Sequence, residues 1–514
     1  VRLTPSCSKS LNARTISVLE ALRLRRSFRS PLAACLIAES SGLESMQTRK
    51  ESLMVPTCFW KACVGALACL FLLAAPAQSS AQQFANYYNV DCSNPSAQFP
   101  TIGSALAAAT DGTSIYVPPG QTCTENVNIS YLKNIAIVTG WQQTFTLAGN
   151  LTIQSSHTVE IQGMIVTNPN GDGIDVNEST DVTLTFVESV NNSGTGLALT
   201  SSQVIINGAG AFSNNSNIGI NAGTNSTLWI SAWQTGGVVD ISNNTGTGLN
   251  ADRSVVGSFG NTTISNTKAV PASPPTAVPN GFGINEFGGA KAGFFAGFGP
   301  VTISSNAGGG VSLAETSEMS LGGGVSWALN PVIVQGNGPV GIALAYGGSL
   351  TLFGAQVTGH TMAGISLYGN SQATLIGPTD QISNNGTGTG PGRAGIVVEQ
   401  GSQALVSDAT IQNNGGPGIL GLLHATLDVE GSTFSSNAGG AIVCDQSTAL
   451  ETDLAHSALG SANACTVAPP GGHHPLGVGG MSLALPDWKG IKARSIKLNG
   501  MIVSHHLKAT PLAK

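Results

Sequence analysis

The sequence predicts an all-β solenoid, and three observations carry that expectation. A corner phrase recurs, written most fully as Asn413-Asn414-Gly415-Gly416-Pro417-Gly418-Ile419. Variants stand at Asn191-Asn192-Ser193-Gly194-Thr195-Gly196-Leu197, at Asn214-Asn215 with Gly219-Ile220, and at Asn243-Asn244 with Gly248-Leu249, and more follow near Asn306, Asn337, Asn385 and Asn437. The spacing is regular. Successive steps from Asn192 are 23, 29, 62, 31, 48, 29 and 23 residues, with 62 and 48 reading as two turns each. Between the corners, Val159 and Ile161 recur as Val182 and Leu184, then as Val204 and Ile206, then as Leu228 and Ile230. Like residues one turn apart form an apolar column, which a stack of strands buries and a globular sheet does not.

Composition agrees. Charged residues make up 9% of the chain, hydrophobic residues 41%, and Gly contributes 66 of 514. The formal charge of −6 hides an asymmetry: residues 83–470 hold 22 acids against five basic residues, a net of −17. Such a body repels nucleic acid, which is excluded as a partner.

At the N-terminus, residues 54–81 read as a secretory signal. Lys61 supplies the positive end, residues 62–75 the apolar run, and Ser79-Ser80-Ala81 a small-residue cleavage site. The run is short for a membrane-spanning helix, so the mature chain is expected to have no transmembrane segment. Residues 1–53 read as an over-extended or disordered start, with translation beginning at Met46 or Met54.

Residues 82–126 are expected to cap the solenoid. Thr101 precedes a helical pattern in which Ile102, Leu106 and Ala109 share one face. Asp111-Gly112 then turns the chain into Ser114-Ile115-Tyr116-Val117 and Pro118-Pro119-Gly120. A helix over the first rung would cover its apolar edge. This order of parts resembles the opening of right-handed parallel β-helix proteins of the pectin-lyase-like superfamily. With the repeats, the resemblance covers about residues 98–450. It implies a right-handed parallel β-helix with a short N-terminal cap helix, and it leaves the activity open, because that superfamily hosts lyases, hydrolases, esterases, epimerases and non-enzymes.

The β-helix is expected over residues 127–453. Each turn reads as a strand, a bend, a second strand and the Asn-Gly corner, with stacked Asn side chains forming ladders and Gly supplying positive-φ corners. About a dozen rungs at ~4.8 Å make a rod of roughly 60 Å. Beyond the leader lie Cys92, Cys123, Cys444 and Cys465, which allow three pairings. Two of them flank the cap and two the far end, so only Cys92–Cys123 and Cys444–Cys465 are within bridging distance, as suits an oxidising compartment. One interruption, residues 268–300, is Pro-rich and then Phe-rich, including Phe282 and Phe287. Insertions in solenoids often build binding surfaces, and the alternative is that these rings pack the loop down. Residues 454–514 read as a closing segment and a basic tail.

Chemistry has few candidates. Asn168-Pro169-Asn170-Gly171-Asp172-Gly173-Ile174-Asp175 resembles the Asn-x-Asp-Gly-Ile phrase of polygalacturonase-type glycoside hydrolases, which implies a catalytic role for Asp172, with Asp175 as its neighbour. That mechanism uses paired carboxylates. The family's second acid pair belongs near residue 195, where this chain has Ser193-Gly194-Thr195-Gly196, and its Gly-His-Gly and Arg-x-Lys elements are missing. The competing reading is an ordinary corner. Asp172, Asp175, Glu178 and Asp181 form the densest acidic group, a candidate calcium site or a solvated face. No other cofactor is implied. Arg253 and Arg393, the body's two arginines, have no lyase or esterase context. Trp229 and Trp233 are candidates for a sugar-stacking platform, with Trp229 expected to point outward. His360 stands where other rungs have the corner Asn, and reads as a ladder substitute.

The functional expectation is a protein that is secreted or held at the cell surface or in the periplasm. It contacts polysaccharide or a cell-surface glycan and lacks a recognisable catalytic set. The alternative is a polysaccharide-active enzyme, hydrolase before lyase, acting on a neutral glycan.

Overall fold

The computed structural model describes residues 84–232, 237–269, 281–297, 299–323, 330–390 and 392–452, with short strands at Thr466–Ala468, Lys492–Ala493 and Leu507–Lys508. Everything below concerns these residues. The signal segment, the earlier N-terminus and nearly all of the tail lie outside them.

Three long sheets, each with parallel pairing throughout, wind past one another in the order A, B, C on every turn, which is a parallel β-helix. Sheet A has 16 strands, and sheets B and C have 13 each. The register confirms the interior columns. Val159, Val182, Val204 and Leu228 pair in sequence, as do Ile161, Leu184, Ile206 and Ile230. All are at most 1% exposed. The apolar residue that ends each corner phrase opens a sheet C strand, so Ile174, Leu197, Ile220, Leu249 and Ile284 form a second buried column.

A turn therefore has three strands rather than the two expected. Sheet C was hidden in the early turns because its corner into sheet A is there only two residues long and carries no glycine, as at Ser155-Ser156, Glu178-Ser179 and Ser201-Ser202. The first residue of each corner takes a left-handed conformation (φ 46, 50 and 47°). The second points its hydroxyl at the neighbouring rung: Ser156, Ser179 and Ser202 each offer their N–H to the serine Oγ of the rung after, at 3.0, 3.1 and 3.4 Å. Strands C and A thus read in sequence as one run.

The asparagine ladder forms at the corner from B to C. Asn192 gives both its N–H and its side-chain amide to Asn215 Oδ1 (3.1 and 2.7 Å), and Asn215 gives both to Asn244 Oδ1 (3.0 and 3.0 Å). The 62-residue step is two turns, with Thr267 as the intermediate member, and the 48-residue step is two turns through His360. The positive φ here comes from the first Asn of the pair (58° at Asn191, Asn214 and Asn243), not from Gly. The short polar side chain tolerates that region. The glycine serves a different purpose. A Cβ on Gly219 would sit 2.5 Å from Asn244 Nδ2, and one on Gly196 2.6 Å from Asn215 Nδ2. The corner glycines make room for the ladder side chain of the following rung, an asparagine at most of them.

The cap helix spans Ile102–Ala108, with a capping box between Thr101 and Ser104. Glu125 adds a second cap, accepting from the N–H groups of Ile102 and Gly103 at 2.7 and 2.8 Å. Its buried face is Ile102, Ala105 and Leu106, with Ala109 serving as C-cap instead of the core contact expected. A strand missed in the sequence, Asn86–Asn89, extends sheet A beside Thr113–Tyr116. The Cys92–Cys123 disulfide is present, with Cα atoms 5.2 Å apart. Cys444 is also disulfide-bonded, and Cys465, its expected partner, lies outside the described residues.

Residues 268–300 are not one long insertion. Residues 266–281 separate Thr262–Ser265 from Phe282–Phe287, and the chain then continues through Lys291–Phe295 and Val301–Ser304 in regular register. Phe294 faces the core, and Phe282 lies across Gly309, where a Cβ would meet its ring at 2.4 Å. Phe287 is half-buried at the end of its strand. Phe282, Phe287, Phe294 and Phe295 thus all lie on strands of the coil.

Candidate functional site

Asp172 leaves the corner before strand Ile174–Asn177. Asn168 holds that corner by donating its side-chain amide to the Asp172 carbonyl (2.7 Å) and its backbone N–H to Asn192 Oδ1 (2.7 Å). The Asp172 carboxylate turns along the coil axis and accepts from the N–H of Thr195. It fills the space beside Gly194, whose Cβ would lie 2.1 Å from Oδ1. Where the polygalacturonase phrase wants a second acid pair, this chain has a glycine that accommodates the first.

Asp175 points outward from the same strand, between Thr152 and Ala198 of the neighbouring rungs. It accepts from the Asn150 amide at 3.1 Å. Burial and then the charge of Asp172 push its carboxyl above the usual carboxylate range, and the Asn150 hydrogen bond opposes them. Glu178 lies at the next corner and Asp181 near the start of the following strand Thr180–Thr185, both with positive φ. They accept from Ser155 Oγ (3.1 Å) and Thr158 Oγ1 (3.0 Å) of the preceding rung. The four acids do not bring their oxygens together: among the described residues, the one cluster with metal-ligating reach is Cys92, Cys123 and Glu125. Its sulfurs are already in a disulfide and its carboxylate caps the helix.

The aromatic candidates resolve differently from expectation. Trp229 is 5% exposed rather than a displayed platform. It lies on the outer face of sheet A over Gly257, where a Cβ would meet its ring at 2.2 Å, and it stacks on Phe259 with centroids 5.5 Å apart. The row continues through Phe295 (5.4 Å) to Phe353 (6.0 Å). The glycines in the spacing of sheet A are the sequence signal for it, because rings lie flat on a strand only where the neighbouring side chain is missing. Trp233 lies outside the described residues.

Arg253 forms a two-pronged pair with its own neighbour, donating from Nε and Nη2 to the Asp252 carboxylate at 2.9 Å each. Arg393 donates to the Gly388 carbonyl (3.2 Å) and lines a shallow recess of about 320 Å³ with Gly390, Gly392 and Pro417. His360 is fully buried in the ladder. Its ring nitrogens face the carbonyls of Asn337 and Val334, both at 3.2 Å, and burial lowers its pKa. It is the ladder substitute expected.

Sequence reasoning missed two groups. Glu286 on Phe282–Phe287 points into the core between Ala251 and Leu313, fully buried, with both carboxyl oxygens unpartnered. Its place in an apolar column is visible only once the register is known. Tyr346 and Tyr368 meet edge to face at 5.2 Å on an outer corner, with Tyr346 64% exposed.

Comparison with known proteins bears on architecture. A family model described as "Right handed beta helix region" matches residues 298–457. No curated protein matches the sequence. Among solved structures, the A-module of mannuronan C-5 epimerase AlgE4 from Azotobacter vinelandii aligns at 12% identity with a TM-score of 0.43, over 71% of this chain and 93% of that one. The Family 28 exopolygalacturonase of Yersinia enterocolitica aligns at 12% identity and a TM-score of 0.28, over 70% and 78%. The catalytic unit of a GH87 alpha-1,3-glucanase from Streptomyces thermodiastaticus aligns at 13% and 0.30, over 72% and 64%. Likenesses this distant transfer no activity. The three parallel sheets make this chain a parallel β-helix protein, and residues 298–457 match the right-handed β-helix region model.

Proposed function

We propose that this is an exported β-helix protein that contacts a glycan or another surface without catalysing its cleavage. One observation carries the reading: the acids that the polygalacturonase resemblance marks as catalytic are engaged in holding rungs together. Asp172 is bound to the Thr195 N–H, and Gly194 occupies the place of the missing partner acid. Export is supported by the signal-like segment 54–81, with cleavage near Ala81, and by the cap disulfide. Among the described residues, no helix is long and apolar enough to cross a membrane.

A second reading has one observation in its favour. Asp175 is half-buried beside Asp172, and burial and then the charge of Asp172 raise its proton affinity, as a general acid requires. On that reading the chain is a hydrolase of a neutral glycan, with Asp175 as acid and Asp172 as base.

The test is a screen of the full chain against neutral and acidic polysaccharides, with and without calcium, reading new reducing ends, unsaturated products and retention. Retention without products is expected. New reducing ends that disappear in Asp172→Asn and Asp175→Asn would replace the binding reading with the hydrolase.

A further inference from the structure

We propose that the corner between sheets C and A carries a neutral-glycan site built on Tyr346 and Tyr368. This rests on the glycan-contact reading above and gives it a location and a ligand class. In most rungs this corner takes small or polar residues, such as Ser155, Ser201 and Asn225, at positive φ. Tyr346 takes the same left-handed conformation (φ 50°) with a large ring that is 64% exposed. For a bulky L-residue that conformation is strained. Packing does not recover this, because the ring is mostly in solvent.

The surroundings are arranged around the ring. Tyr368 stands one rung on, its ring at 76° to that of Tyr346, so the pair presents one face and one edge. Gly369 follows, and a Cβ there would meet Tyr346 Cδ1 at 3.3 Å and its backbone N at 3.2 Å. Glycine at this point lets the first ring lean toward the second. Beyond them, Asn370 and Gln400 are exposed at successive rungs, again at positive φ (63 and 55°). The Asn370 carboxamide lies across Gly401, whose Cβ would be 2.7 Å from Oδ1.

Flat aromatic faces beside carboxamides match the chemistry of a pyranose, which has an apolar C–H face and a rim of hydroxyls that both donate and accept. None of these four side chains is charged, and the body carries a net charge of −17, so an anionic glycan finds no counter-charge here and is repelled at long range. Rungs spaced ~4.8 Å apart repeat the corner along the coil, which suits a linear chain of sugars lying parallel to the axis.

The experiment measures retention and affinity of the full chain on soluble glucans, mannans and xylans, with polygalacturonate as the acidic comparison. Wild type, Tyr346→Ala, Tyr346→Phe, Asn370→Ala and Trp141→Ala are compared, and thermal melts check that each is folded. Loss of about tenfold in affinity is expected for Tyr346→Ala. Tyr346→Phe should bind nearly as wild type, and Trp141→Ala, at another exposed ring (62% exposed), should be unchanged. Neutral-glycan binding that survives Tyr346→Ala, or that is lost in Trp141→Ala instead, would overturn this site while leaving the glycan reading intact. Preference for polygalacturonate would overturn the ligand class. Binding to none of the polysaccharides would remove both the site and the reading beneath it.

Discussion

Asp172 Oδ1 accepts the backbone N–H of Thr195 one rung away, over a glycine at 194 that leaves the carboxylate its space. A residue that resembles a catalytic acid in sequence is here a clamp between adjacent turns. A hydrogen bond from an amide to a charged carboxylate is worth about 1.5–3 kcal/mol. Asp172→Ala should lower stability by roughly that amount in chemical denaturation, and Asp172→Asn by less, because the amide oxygen still accepts. Gly194→Ala should destabilise by a similar amount, about 1–3 kcal/mol of overpacking. If Asp172→Ala melts as wild type does, the clamp is not holding the rungs.

The corner glycines yield a parallel expectation. A Cβ on Gly219 would meet Asn244 Nδ2 at 2.5 Å and the Gly248 carbonyl at 2.7 Å. Gly219→Ala should therefore cost about 2–3 kcal/mol, measured by urea unfolding. Gly120→Ala is the control for space alone, since nothing lies within 4 Å there, although its φ of 76° still disfavours a side chain.

Glu286 is a carboxyl in an apolar column with no partner for either oxygen. Burial raises its pKa well above the ordinary value of 4.5. The folded state then holds a proton that the unfolded state releases above about pH 4.5, so this residue costs stability progressively as pH rises from there toward its folded value. Glu286→Leu should raise the melting temperature at pH 7–8 and have less effect near pH 4. A lower melting temperature at pH 8 would show that the carboxyl has a partner in solution.

His360 has the opposite sign. Burial lowers its pKa from 6.5, so the unfolded chain binds a proton that the folded ladder does not, and stability is lost as pH falls below about 6.5. His360→Asn restores the amide that neighbouring rungs use and should flatten the stability profile between pH 5 and 7. An unchanged slope would assign that acid sensitivity elsewhere.

The Cys92–Cys123 bridge closes a loop of 31 residues at the capped end. By loop-closure entropy its removal costs about 3–4 kcal/mol. Cys92→Ser with Cys123→Ser should expose the cap helix first, seen as early proteolysis near residue 101 while the distal rungs stay resistant. Simultaneous digestion of all rungs would mean that the coil unfolds as a single unit.

How much was legible follows from what repeats. The Asn-Gly phrase states its own period, and His360 could be placed as a ladder member by counting, whereas Thr267 divides its 62-residue step unevenly and could not. The third strand of each turn was not legible: a two-residue Ser-Ser corner interrupts neither alternation nor hydropathy. Alternation places Trp229 on the outer face, which is correct, yet a ring lying on Gly257 and stacked on Phe259 is covered all the same.

The sequence by itself determined the coil, its period, its interior columns and the cap disulfide, since each follows from local pattern repeated along the chain. Only the tertiary structure decided which side chains outside the repeated pattern meet across rungs. Asp172 against Thr195, Glu286 between Ala251 and Leu313, and Tyr346 against Tyr368 are separated by a full turn of chain. Their contacts depend on the register of one rung over the next, which varying turn lengths of 22 to 39 residues leave unspecified in the sequence until the corners are stacked.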